Sequence, residues 1–188
     1  METQVASALD RLREGLPYES TDPELILIRQ KARRLTREYT DVPDEALTAR
    51  TRVLASLFDL LGERPEVDAP FFCEYGRHVQ VGDDFVAGPN CVFVDAGLIT
   101  IGDRVRLGPG VHLYAVARPL DPAKRARGLE QGAPISIGDD VWIGGGSIVN
   151  PGVTIGSGTT IGPGSVVLTD VPPNVFASGN PCRVVREL

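Results

Sequence analysis

The stretch ISIGDDVWIGGGSIVNPGVTIGSGTTIGPGSVVL, residues 135–168, decides the fold. An aliphatic residue with glycine or asparagine behind it returns every six positions: Ile137-Gly138, Ile143-Gly144, Val149-Asn150, Ile155-Gly156, Ile161-Gly162. The same frame holds upstream at Ile101-Gly102, Leu107-Gly108 and Leu113-Tyr114. Tyr75-Gly76, Val81-Gly82 and Ala87-Gly88 also fit it, with a two-residue insertion near DAGLIT that restores the phase at Ile101. The fifth position of each hexad is small or β-branched, as in Val105, Val111, Ala117, Val141, Ser147, Val153, Thr159, Ser165 and Val171. Six is not a multiple of the 3.6-residue helical turn, so these residues cannot share one face of an α-helix. Short strands joined by tight turns, three to a coil, do fit, and each coil of the resulting triangular prism buries its aliphatic residues against the next. Glycine behind the aliphatic position relieves crowding near each sharp corner. The expected fold is mainly β, a parallel β-helix of hexapeptide repeats over residues 66–188.

Residues 1–62 read differently, as a helical cap. TQVASALDRLREG has apolar residues at helical spacing and a glycine stop at Gly15. Asp22 can cap the next helix, and Pro23 fits its first turn. Leu25, Ile28, Ala32, Leu35 and Tyr39 then line one face. VPDEALTARTRVLASLFDLLG repeats the design, with Pro43 near its start and Gly62 as its stop. The first loop, GLPYES, is a candidate ligand contact.

Composition narrows the function. The 188 residues carry a formal charge of −6, which argues against a nucleic-acid binder. No apolar stretch approaches the ~18 residues of a membrane span. METQVASALDRLREG lacks the apolar run of a secretory signal. The three cysteines, Cys73, Cys91 and Cys182, follow neither CxxC nor zinc spacing, which fits a reducing cytoplasm and no metal. Cys73 and Cys91 fall at fifth positions of their hexads and are expected to be buried small hydrophobes.

The segments FFCEYGRHVQVGDDFVAGPNCVFVD, ARPLDPAKRARGLEQGAPISIG and GNPCRVVREL, together with LREGLPYESTDPELILIRQKARRLTREY, resemble the maltose and galactoside O-acetyltransferases. The resemblance implies a left-handed β-helix, a homotrimer, and transfer of acetyl from acetyl-CoA to a sugar hydroxyl in a cleft between prisms. It also implies a protruding loop at about 119–134 and a histidine general base just before it. An alcohol is a poor nucleophile without such a base, and the developing oxyanion needs N–H donors. At the histidine position this chain has Arg118, in Arg118-Pro119-Leu120-Asp121-Pro122. A guanidinium does not accept a proton near neutrality. The two histidines, His78 and His112, are expected to be turn or solvated residues too far from Arg118 to replace it within one chain, which leaves open a histidine brought in by a trimer partner.

The same resemblance nominates the other site residues. Glu74, Gly88, Asn90 and Asp95 fall in sugar-contacting segments, with Gly88 at the place of an asparagine and Asn90 as its neighbour. Trp142, Gly144 and Gly145 form one wall of a CoA groove, where glycines let a pantetheine arm run close to the backbone. Arg183 and Arg186 either meet the CoA phosphates or are surface arginines. Lys124, Arg125 and Arg127 form a basic knot that is either solvated or draws an anion to the cleft. Three functions fit: an acetyl-CoA-dependent O-acetyltransferase acting on a sugar or other small hydroxyl acceptor, a catalytically silent CoA-binding protein, or a trimeric scaffold.

Overall fold

The computed structural model describes residues 7–188, and the hexads form a left-handed parallel β-helix beneath a helical cap. Residues 1–6, where the expected cap begins, lie outside the described residues. Three parallel sheets form the prism faces. Face one stacks Leu60–Leu61, Val79–Val81, Ile99–Ile101, Ile135–Ile137 and Thr154–Ile155. Face two stacks Glu66–Val67, Val86–Ala87, Arg106–Leu107, Trp142–Ile143, Thr160–Ile161 and Val175–Ser178. Face three stacks Phe72–Cys73, Val92–Val94, His112–Tyr114, Ile148–Val149 and Val166–Val167. A last strand, Arg183–Glu187, returns antiparallel along Val175–Ser178.

Register puts the aliphatic residues in columns. On face two Val67, Ala87, Leu107, Ile143, Ile161 and Ala177 lie over one another, all buried. Where glycine follows the aliphatic residue, the coil above demands it. A Cβ on Gly102 would lie 2.8 Å from the backbone N of Asp139, and one on Gly144 would lie 2.5 Å from that of Pro163. At the corner from face one to face two the fourth hexad position takes positive φ: Arg64 (53°), Asp84 (55°), Arg104 (56°), Asp140 (58°), Asn174 (55°). L-residues resist this conformation. The two arginines there are tied to the next coil. Arg104 forks onto Asp140 at 2.7 and 2.8 Å, and Arg64 forks onto Asp84 at 2.6 and 2.8 Å.

Coil length changes along the axis. Equivalent corner residues Asp83 and Asp103 are 20 positions apart, whereas Asp139 and Ser157 are 18 apart. The extra residues of the early coils swell the corner between faces three and one, at 74–78 and 95–98. This swelling shifts Cys73 out of the fifth position. It pairs with Phe93 and fills an aliphatic slot, although it is buried as expected. Burial raises the thiol pKa of Cys73 and of Cys91, which disfavours a nucleophilic thiolate at either.

The cap has α1 (Ala8–Arg13), α2 (Pro23–Asp41) and α3 (Leu47–Leu57). Asp22 accepts the Glu24 N–H at 2.9 Å, and Pro23 opens α2, as expected. Helix α3 is shorter than the sequence suggests. Phe58 leaves it in extended conformation and packs its ring near Phe71 and Phe93. Gly62 is therefore not a helix stop. The strand Leu60–Leu61 already pairs with Gln80 and Val81, so the prism begins inside the range expected for the cap rather than at 66. Cap and prism share one apolar core. The cap also finishes the prism's open end. The carbonyl of Val67, on the first strand of face two, accepts the Tyr39 hydroxyl at 2.6 Å and Arg50 Nη2 at 2.9 Å. The Arg50 guanidinium lies 4.2 Å over the Tyr39 ring.

Because coil spacing leaves no room for a methyl group, Gly102→Ala is expected to lower unfolding stability by about 1–3 kcal/mol. Urea unfolding of the pure protein measures this.

Candidate active site

After Ala115 the chain leaves the prism at the swollen corner. Val116–Ala117 pairs antiparallel with Leu129–Gly132, and Tyr18–Glu19 from the cap loop GLPYES adds a third strand. A short helix, α4 (Pro122–Ala126), forms the tip, capped by Asp121. The expected loop 119–134 is thus an ordered flap. Arg125 closes it by donating to the carbonyls of Pro119 and Leu120 at 3.0 Å each, so it is not a free cation, while Lys124 and Arg127 are exposed.

The flap brings Arg118, Glu130 and Tyr18 into one row. Arg118 donates from Nε (3.0 Å) and Nη2 (2.8 Å) to Glu130 Oε1, and the Tyr18 hydroxyl donates to Oε2 at 3.1 Å. The Glu130 hydrogen bonds and charge hold the guanidinium even more firmly protonated. Burial, with negative charge around it, raises the Tyr18 phenol far above its usual range, so it stays neutral and acts as a donor. Arg118 is largely exposed, and Glu130 is buried behind it.

Glu74 sits half-buried at the same corner. Desolvation first, then repulsion from Glu130 and Asp95, pushes its carboxyl up to about 7, against the pull of Arg29 and Arg118. Arg29 bonds the Tyr75 hydroxyl at 2.8 Å and the Ser20 carbonyl at 2.6 Å. Asp95 is corrected from substrate contact to brace. It is fully buried, with Oδ1 accepting the N–H groups of Glu74 (3.1 Å) and Tyr75 (2.8 Å) and Oδ2 that of His78 (3.3 Å). Its geometry fixes the corner that presents Glu74. His78 is buried rather than solvated. Its Nδ1 lies 2.8 Å from the Asp95 carbonyl, and burial lowers its pKa. His112 lies on face three, its Nδ1 2.6 Å from the Tyr114 hydroxyl.

The remaining nominated residues stand elsewhere on the prism. Gly88 and Asn90 occupy the corner between faces two and three, apart from Arg118 in the same chain. Gly88 is required there because a Cβ would lie 2.8 Å from the Pro109 backbone N, and Asn90 adopts φ 62° in the turn. Trp142 lies on the outside of face two between Arg106 and Thr160 and is 53% exposed. Gly144 and Gly145 follow it, and both have close-packing reasons to be glycine. Arg183 and Arg186 are exposed on the last strand, with Arg186 6.0 Å from the centre of the Phe176 ring. Tyr18, Tyr75, Arg29, Glu130 and Arg106 lie outside the sequence-based candidates. Only Tyr18, inside GLPYES, carried a functional signal; the hexad frame covers Tyr75 and Arg106 but marks coil positions, not chemistry.

The raised Glu74 carboxyl has a stability signature. Folded protein holds this proton at pH values where the unfolded chain has released it, so ionising Glu74 weakens the fold as pH rises from the ordinary value of 4.5 to about 7. Glu74→Gln removes that cost. It is expected to gain on the order of 2 kcal/mol over wild type at pH 8 and little below the ordinary carboxylate range, as read by denaturant titration at both pH values.

Comparison with known proteins covers almost the whole chain. Residues 11–62 match the maltose acetyltransferase hexapeptide capping motif, and residues 134–169 match the bacterial transferase hexapeptide (six repeats). The galactoside O-acetyltransferase of Escherichia coli K12 is 36% identical over 95% of this chain and 88% of its own length. The crystal structure of a maltose O-acetyltransferase from Clostridium difficile 630 superposes with TM-score 0.95 at 39% identity, over 97% of this chain and 98% of that one. A hexapeptide-repeat acetyltransferase from Vibrio cholerae O1 biovar eltor, complexed with acetyl coenzyme A, superposes with TM-score 0.90 at 37% identity, over 97% and 99%. Cap, hexads and flap together therefore make this chain a member of the maltose and galactoside O-acetyltransferase family of hexapeptide-repeat acyltransferases.

Proposed function

We propose that the chain moves the acetyl group of acetyl-CoA onto a hydroxyl of a sugar or similar small acceptor, working as a homotrimer with its clefts between neighbouring prisms. The observation that carries this is a structural match over 97% of the chain to a relative complexed with acetyl coenzyme A. The corner of Glu74, Glu130, Arg118 and Tyr18 supports it, since it offers hydrogen-bonding partners of the kind a polyol needs. The separation of that corner from Trp142 on face two supports the trimer. Within one prism the two stand on different parts of the surface, and a cleft shared with a second prism would unite them.

In this reading the pantetheine arm runs past Gly145, Trp142 lies against the cofactor, and Arg183 or Arg186 meets its phosphates. The acceptor oxygen adds to the thioester carbonyl, and the CoA sulfur departs. Arg118 takes no proton. It neutralises Glu130 and keeps a positive charge at the cleft edge, where it can steady a developing oxyanion. The salt bridge to Glu130 at the expected base position favours one rival, a protein that binds CoA without turnover.

Calorimetry with CoA, paired with acetyl transfer from acetyl-CoA to glucose, galactose and maltose, separates the two. Wild type is expected to bind CoA and to acetylate at least one of these sugars. Binding without transfer selects the rival, and failure to bind removes both. Trp142→Ala is expected to weaken CoA binding about tenfold, or ~1.4 kcal/mol, through loss of one large contact face.

A further inference from the structure

We propose that Glu74 is the general base of this chain, its carboxylate taking the proton of the acceptor hydroxyl. The assignment rests on acetyl transfer being the reaction. It follows from what every other titratable group at the corner is already doing. The Arg118 guanidinium cannot accept a proton. Glu130 is buried, with Oε1 filled by two Arg118 donors and Oε2 by the Tyr18 hydroxyl. Asp95 is fully buried and spends both oxygens on backbone N–H groups. Tyr18 and Tyr75 are neutral phenols held above their usual range by burial. His78 is buried; its Nδ1 faces the Asp95 carbonyl, and its Nε2 is shut away with no partner among the described residues. His112 lies on face three with Tyr114.

Among the described residues of this corner in one chain, Glu74 alone remains available. It is half-buried, and its carboxylate makes no hydrogen bond among the described residues. The cluster of groups that bear on it also suits a base. Burial first, then Glu130 and Asp95, press its affinity for a proton upward, and Arg29 from α2 and Arg118 from the flap restrain it. The result is a carboxyl that is half ionised at about pH 7, near where a general base works best.

The proton balance is simple. As the acceptor oxygen bonds to the thioester carbonyl carbon, its hydrogen passes to the Glu74 carboxylate. The C–S bond then breaks, the sulfur leaves as a thiol carrying the proton from Glu74, and the carboxylate is restored. Arg118 acts as a positioning residue. By pairing Glu130 it shields Glu74 from a second full negative charge.

The test is the pH dependence of kcat/KM for acetyl transfer from acetyl-CoA to whichever of glucose, galactose and maltose wild type acetylates. CoA affinity and thermal unfolding are measured alongside. Glu74→Gln is expected to lower kcat about 10²–10⁴-fold while binding CoA as wild type does. Glu74→Asp is expected to retain intermediate activity. The acid limb of the wild-type profile, expected near pH 7, should vanish in Glu74→Gln and move to higher pH in Arg118→Ala, because Glu130 is then unpaired. A folded Glu74→Gln within tenfold of wild type, with the acid limb unmoved, overturns the base assignment and leaves acetyl transfer standing. A wild type that binds CoA but acetylates none of the three sugars overturns both.

Discussion

Coil-on-coil stacking at strand spacing is the constraint on which everything else in this molecule depends. Successive coils sit ~4.8 Å apart, and at that distance the backbone of one coil occupies the place where a side chain would start on the next. Where the next coil comes closest the second hexad position must then be glycine, as at Gly102, Gly108 and Gly144. The aliphatic position must point inward, and the fourth position must turn with positive φ. The hexad is the sequence expression of this geometry, and no helix or open sheet imposes the same demand.

The site arises where that regularity is relaxed. Two additional residues per early coil widen one corner, and the widened corner is where the flap departs and where Asp95 collects backbone N–H groups. Backbone N–H groups hold Asp95 there, while Arg118 and the Tyr18 hydroxyl hold Glu130. Burial, and after it repulsion from Glu130 and Asp95, then raises proton affinity at Glu74, the one that keeps contact with solvent. Arginine at position 118 alters this balance. It removes proton-accepting capacity from the flap and, by pairing Glu130, leaves the neighbouring carboxyl able to ionise near neutrality.

How much of this could be read from residues alone varies with the range of the interaction. The prism and the cap follow from a fixed period and local patterns, whereas the flap and the anomaly at Arg118 rest on the resemblance to the sugar acetyltransferases. Cys73 and Gly62 were misplaced within that pattern because the first coil begins earlier than its clearest hexads and one corner is longer. The Arg118–Glu130–Tyr18 row could not be seen, since Tyr18 and Glu130 are 112 positions apart and their meeting depends on a three-stranded flap that no period announces. Asp95 and His78 look like surface residues in sequence. Their burial depends on the corner's shape, which spacing does not encode.

A prism of stacked parallel strands exposes unpaired peptide groups at its first coil, and such an edge is a template for another chain to extend. Here Tyr39 and Arg50 occupy the Val67 carbonyl, with the arginine buried over the tyrosine ring. The helices thus act as a terminator for that edge, occupying an acceptor that a further strand would otherwise meet.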